Sequence, residues 1–209
     1  MKRKIIIIGM LLILFIATTV GGNALLKKFQ GEDEFKQAGT GMAEAVSALN
    51  EAGGRYNSSD LAEYVGEVEG ERISKLYFEV RYYSYKSNPL NYEDPKQEAW
   101  NSIKLEFWEK HFAEAKGIAP TLEEIKEYVE YTAGEYDATD EGRHLISAYA
   151  DGMGMTVREY WEYNKKYQAP AAVTHGKVSR YLENNGLEAP SYDEIESKIT
   201  DKEYFDLLT

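Results

Sequence analysis

The chain has 209 residues, enough for one well-buried core, or for an anchor, a short stalk and one domain. Its 36 acidic residues against 24 basic ones give a net charge of -12, and no basic stripe follows residue 30, which argues against nucleic acid as a partner. There is no cysteine, which excludes disulfides, thiol catalysis, thiolate metal sites and lipid attachment at a leader cysteine.

The first element is apolar. Lys2, Arg3 and Lys4 precede Ile5 to Leu26, 22 residues without a charge, long enough to span a bilayer with the basic cluster held inside. An uncleaved signal-anchor over 1–26 is the expectation. A cleaved signal peptide is the alternative, because the strongest apolar run stops near Val20 and small residues end at Ala24. Either way the remainder lies on the outer face of the cytoplasmic membrane, single-pass with its N-terminus inside, or is secreted. Without the three leader charges the exported part carries 21 basic residues against 36 acidic ones, a net charge of -15.

Residues 27–60 read as a polar stalk followed by an amphipathic helix over about Gly41 to Ala52, closed by Gly53 and Gly54. Leu61, Val65, Val68 and Ile73, spaced around Gly66 and Gly70, predict a short extended segment and a turn. Ser74 caps the helix that follows, and Pro89 bars its continuation. Asp94 and Pro95 open a helix running to Lys116, with Trp100, Ile103, Phe107, Trp108 and Phe112 down one side, and Gly117 stops it.

Thr121 with Glu124 forms an S/T-x-x-E capping box for a short helix with Ile125 and Val129 inside, and another helix runs from about Thr139 to Asp151. The joint "YADGMGMTVREYWEYN" comes next. Gly152 and Gly154 imitate a phosphate loop, but Val157 stands where a third glycine is needed and no strand leads in. Met153 and Met155 suit an adaptable apolar patch for a partner. The reading that employs every residue is local: Gly152 ends one helix, Thr156 with Glu159 caps the next, and Met155 with Tyr160 staples it. That helix continues through Tyr167, kinks at Pro170 and resumes to Asn185, and Ser191 with Glu194 caps a last helical segment. The fold class is therefore mainly α.

The order of these joints resembles the N-terminal chaperone domain of SurA- and PrsA-like parvulin-type peptidyl-prolyl isomerases. The residues that carry the resemblance are Val68, Gly70 and Ile73; Glu114, Ala115, Gly117, Ile118, Thr121 and Glu124; and Gly154, Met155, Thr156, Glu159, Tyr160 and Trp161. Each motif alone is capping chemistry, and their order and spacing make the pattern. The resemblance implies a SurA N-terminal-like multi-helix domain over 61–209, forming a cradle for unfolded or extended segments of exported proteins. It departs from the family after Asn185, where a parvulin domain of about 100 residues is usually inserted and has no room here. Isomerase activity is accordingly not expected, and no catalytic residue, metal or cofactor is assigned.

The remaining chemistry-bearing residues point to nothing sharper. His111, His144 and His175 lie far apart in sequence, without the i, i+4 spacing of a metal helix, so solvated or capping roles are expected. "DATDEG" at Asp137 to Gly142 starts like a calcium loop, but Ala148 occupies the position of the bidentate glutamate, which leaves a turn and a helix start. The chain has seventeen tyrosines, rigid apolar area with a polar tip, suited to varied unfolded chains. Tyr82 and Tyr85 share one helical side and Tyr163 and Tyr167 another, and these four are the expected exposed peptide-binding lining. A membrane-tethered module binding one specific envelope protein is the rival reading.

Overall fold

The computed structural model describes residues 32–51, 63–87 and 92–208. The leader over 1–26 and the glycines at 53 and 54 lie outside them. Helix α1 spans Glu32–Glu51, β1 Tyr64–Val68, β2 Glu71–Ser74, α2 Lys75–Lys86, α3 Pro95–Ala115, α4 Leu122–Asp137, α5 Asp140–Gly152, α6 Val157–Tyr167, α7 Ala169–Asn184, β3 Ser197–Ile199 and α8 Lys202–Leu207. The chain is mainly α, with one small antiparallel sheet in the order β2-β1-β3. Among the described residues no helix is long and apolar enough to cross a membrane.

The helix starts are where the side-chain caps place them. Ser74, Asp94 and Thr139 each accept a hydrogen bond from the backbone N–H three residues on. Thr121 with Glu124 and Thr156 with Glu159 form complete capping boxes, each satisfying two otherwise orphaned donors. We predict that Thr121→Ala and Thr156→Ala each lower stability by about 1 kcal/mol in chemical denaturation. Variants that unfold with the parent would show that these caps contribute nothing.

Three elements depart from the sequence reading. First, α1 begins at Glu32 rather than near Gly41, and residues 32–40, which read as polar stalk, are helix packed into the core through Phe35 and Ala38, as Met42 and Val46 are further along. Its main neighbour is α5, and the two backbones meet where Gly39 faces Gly152. A glycine in a polar stretch reads as a spacer, but here it is what lets two helices touch. Second, the kink near Pro170 is a break at Gln168, with Pro170 in the first turn of α7, a position that loses no intrahelical bond.

Third, Ser191 and Glu194 do bond each other, with the Ser191 N–H donating to Glu194 Oε2 at 2.7 Å, but they close a turn rather than open a helix. Ile195 is buried beneath the sheet, and the chain then forms β3 on the open edge of β1. Satisfying that edge outweighs local propensity. Short as it is, β3 also props the β1–β2 hairpin. Glu69 and Gly70 both have positive φ, the signature of a type I′ turn, and Glu69 is held there by its N–H donating to Glu196 O at 2.9 Å.

Two large core clusters result. One joins α1, α5 and α6, with Val80 of α2 and Tyr136 of α4. The other joins the sheet, α2 and α3, with Ile195. Met153 belongs to the first and Met155, half-buried, packs against it, so the joint is part of the core rather than an adaptable patch. The helix ends at Gly152 as expected, with Met153 as its cap, and Gly154, at φ 73°, closes it: its N–H donates to Asp151 O, and that of Met155 to Ala150 O at 2.9 Å.

Candidate functional site

The four tyrosines expected to line an exposed surface do not form one. Tyr82 and Tyr85 are 3% and 4% exposed, and Tyr163 is 6% exposed. Only Tyr167 is half-buried, its ring 5.2 Å from that of Tyr163. The reason lies in α2, which is enclosed by the sheet, α3 and α1. Phe78, Tyr82 and Tyr85 form one stripe at i, i+4, i+7, and that stripe enters the second core cluster. On α6 the staple residue Tyr160 is fully buried, and Tyr163, three residues on, shares its inward face. A client could reach Tyr82, Tyr85 or Tyr163 only by opening the core.

Among the described residues, a connected row of aromatic rings that reaches the surface sits elsewhere, along the seam between α3 and α7. Sequence pattern put Trp100, Ile103, Phe107, Trp108 and Phe112 on one side of α3, but the structure divides them. Trp100, Ile103 and Phe107 face the sheet cluster, Phe112 turns toward α7 around Ala113, Val178 and Leu182, and Trp108 packs against both. The rings of Trp108 and Phe112 are 5.1 Å apart, and Phe112 meets Tyr181 of α7 edge-on at 5.6 Å. All three are half-buried, with Ile118 and Ala189 packed beside the same cluster. The signal for this row was present in the i, i+4 spacing of Trp108 and Phe112, but the direction it faces depends on where α7 docks.

The polar side of α3 ties that helix to three different neighbours. Glu106 accepts from Arg81 and Tyr77 of α2. Glu71 of β2 accepts from Lys110 at 2.8 Å and pairs with His111 at 2.5 Å. Glu109, only 6% exposed, bonds His175 Nδ1 of α7 at 2.7 Å. Two of the histidines therefore have specific glutamate partners contributed by distant parts of the chain, where the sequence suggested solvated or capping roles.

The Glu109–His175 pair lies within the seam itself, with Glu109 buried and His175 half-buried. Burial lowers the pKa of His175, but the hydrogen bond and negative charge of Glu109 outweigh it and raise the imidazole above its ordinary 6.5. Burial pushes the Glu109 carboxyl up, against the pull of His175, and Glu106 adds to the rise. A raised imidazole pKa in the folded state gives stability that is complete below the unfolded value and disappears as pH rises through the folded one. The Glu109 shift acts in the same sense, since the folded state again holds its proton more tightly. We predict a melting temperature that falls between pH 6 and pH 8.5 in the parent, with the slope largely removed in His175→Gln. A rising or flat profile would show that the pair is not coupled to folding.

The site and fold thus define a mainly α domain with a polar-bridged, aromatic-edged helix seam. Comparison with protein families, with curated proteins and with solved structures returned no match.

Proposed function

We propose that this chain is an extracytoplasmic chaperone-like domain that binds unfolded or extended segments of exported proteins and carries no isomerase module. The observation that carries the reading is the half-exposed row Trp108, Phe112 and Tyr181 along the α3–α7 seam. Rigid rings of this kind offer contact area at low entropic cost to chains of varied sequence. The motifs that carry the SurA- and PrsA-like resemblance support it: the Gly117–Thr121 and Gly154–Thr156 joints both turn one helix into the next. After α7, where that family inserts its isomerase, residues 185–196 lead directly into β3. The uncharged run from Ile5 to Leu26 supports a tether at the outer face of the cytoplasmic membrane.

The expected result is that the purified chain, in mild detergent and without ATP, slows aggregation of an unfolded exported protein and ignores the same protein once folded. Affinity on the order of micromolar is expected, because a disordered client is ordered upon binding. The variant with Trp108, Phe112 and Tyr181 changed to serine should lose protection while keeping its helical signal. Protection undiminished in that variant moves the client surface elsewhere. No protection over a panel of acidic and basic clients overturns the reading in favour of a module dedicated to one folded envelope partner.

A further inference from the structure

We propose that the α3–α7 seam is a pH-responsive latch, closed by the Glu109–His175 bridge and released on the alkaline side as His175 gives up its proton. The proposal rests on the seam being the client surface, and it adds how access to that surface is regulated.

The geometry places the bridge where it controls the aromatic row. Glu109 and His175 come from the two helices that form the seam, and their 2.7 Å contact joins a buried carboxylate to a half-buried imidazole across it. One turn further along each helix the same faces carry Ala113 and Val178, at 1% and 0% exposure, with Leu182 beyond. Phe112 and Tyr181 are the immediate chain neighbours of Ala113 and Leu182. Movement at the bridge is therefore transmitted directly to the packing beneath the rings.

With His175 protonated, the Glu109 carboxylate has a compensating charge at hydrogen-bond distance. With His175 neutral, a buried carboxylate remains without one, a situation that costs far more than a surface charge. Among the described residues no other cation pairs with Glu109. Glu106, on the same helix, carries the same sign and is engaged by Arg81 and Tyr77 of α2. Tyr192, in the link to β3, lies within the field of Glu109 and of Glu98, and its own pKa is raised, so it supplies no cation. Lys104 of α3 answers to Asp193. The carboxylate is then stabilised by reaching water, which requires the helices to part at their C-terminal ends. Tyr181 and Phe112 are exposed when they do.

The chain's lack of cysteine gives a direct readout. Ala113→Cys puts a single thiol behind the seam, and Ala115→Cys puts one on the exposed side of the same helix. The ratio of their maleimide labelling rates in the full chain removes the rise in thiolate that both share with pH, and the same ratio in a Glu109→Gln background removes what differs between the two thiols. We expect that ratio to rise by about tenfold between pH 6 and pH 8.5, the scale of a local opening controlled by one titration. In a Glu109→Gln background, which keeps the shape and removes the charge, the ratio should stay low at every pH. In His175→Gln it should be high throughout. A flat ratio in the parent, or the same rise in Glu109→Gln, overturns the latch. No client is present in this measurement, so its failure leaves the chaperone reading standing, whereas failure of the client assay removes the role in client access and leaves the opening of the seam itself intact.

Discussion

Gly152→Ala is expected to cost about 3 kcal/mol or more and to detach α1 from the rest of the fold, more than is typical of overpacking. A Cβ at position 152 would lie 2.2 Å from Lys36 O, and one at Gly39 would lie 2.1 Å from Tyr149 O. Both obstacles are backbone, so no side-chain rotation relieves them. The helices must separate, and with them goes the packing of Phe35, Ala38, Met42 and Val46 against α5 and α6. Gly134 is the internal control: it is exposed on α4, an added methyl there would meet nothing within 4 Å, and Gly134→Ala should add about 0.5–1 kcal/mol. Chemical denaturation of the two variants and the parent checks this. A Gly152→Ala protein as stable as its parent would mean that α1 does not rest on α5, restoring the reading of 27–40 as a stalk.

Tyr82→Ser and Tyr85→Ser should each destabilise by about 3 kcal/mol or more, the cost of removing a core aromatic side chain. Tyr85 packs edge-on against Tyr92 at 4.9 Å, and Tyr82 lies in the same cluster as Phe78, Trp100 and Ile103. Burial drives the hydroxyl pKa of Tyr85 far up, as expected of a ring with little access to water. Tyr167→Ser should cost much less, since that ring is half-buried and partly covered by Lys166. Thermal unfolding followed by near-ultraviolet circular dichroism separates these outcomes. If Tyr82→Ser and Tyr85→Ser melt with the parent, the rings are not core and an exposed lining at those positions is revived.

The helical framework was legible because its punctuation is local. Ser74, Asp94, Thr121, Thr139 and Thr156 each act within three residues, and glycines 117 and 154 close helices through bonds to the preceding turn. What failed to show depends on distant partners. Gly39 reads as flexible until Gly152 is brought against it, and Ser197–Ile199 reads as helix until the edge of β1 is there to pair with. The face of a tyrosine on an amphipathic helix is readable only when the helix has one wet side, and α2 is enclosed by the sheet, α1 and α3. For α6 the inward face was readable, because Tyr160 as staple fixes it and Tyr163 follows three residues later. The Glu109–His175 pair gave no signal, since three whole helices, α4 to α6, separate its members in sequence.

The most direct measurement on the client surface is site-specific photo-crosslinking in the full chain, with benzoylphenylalanine in place of Tyr181 on the seam or of Tyr131 on the outer face of α4. Tyr131 is 54% exposed, more than Tyr181, so simple exposure favours the control. An unfolded exported protein should be captured from position 181 and not from position 131, and the folded form of that protein from neither. Equal capture at both positions, capture from 131 alone, or capture of the folded form would contradict the assignment of the seam as the client surface.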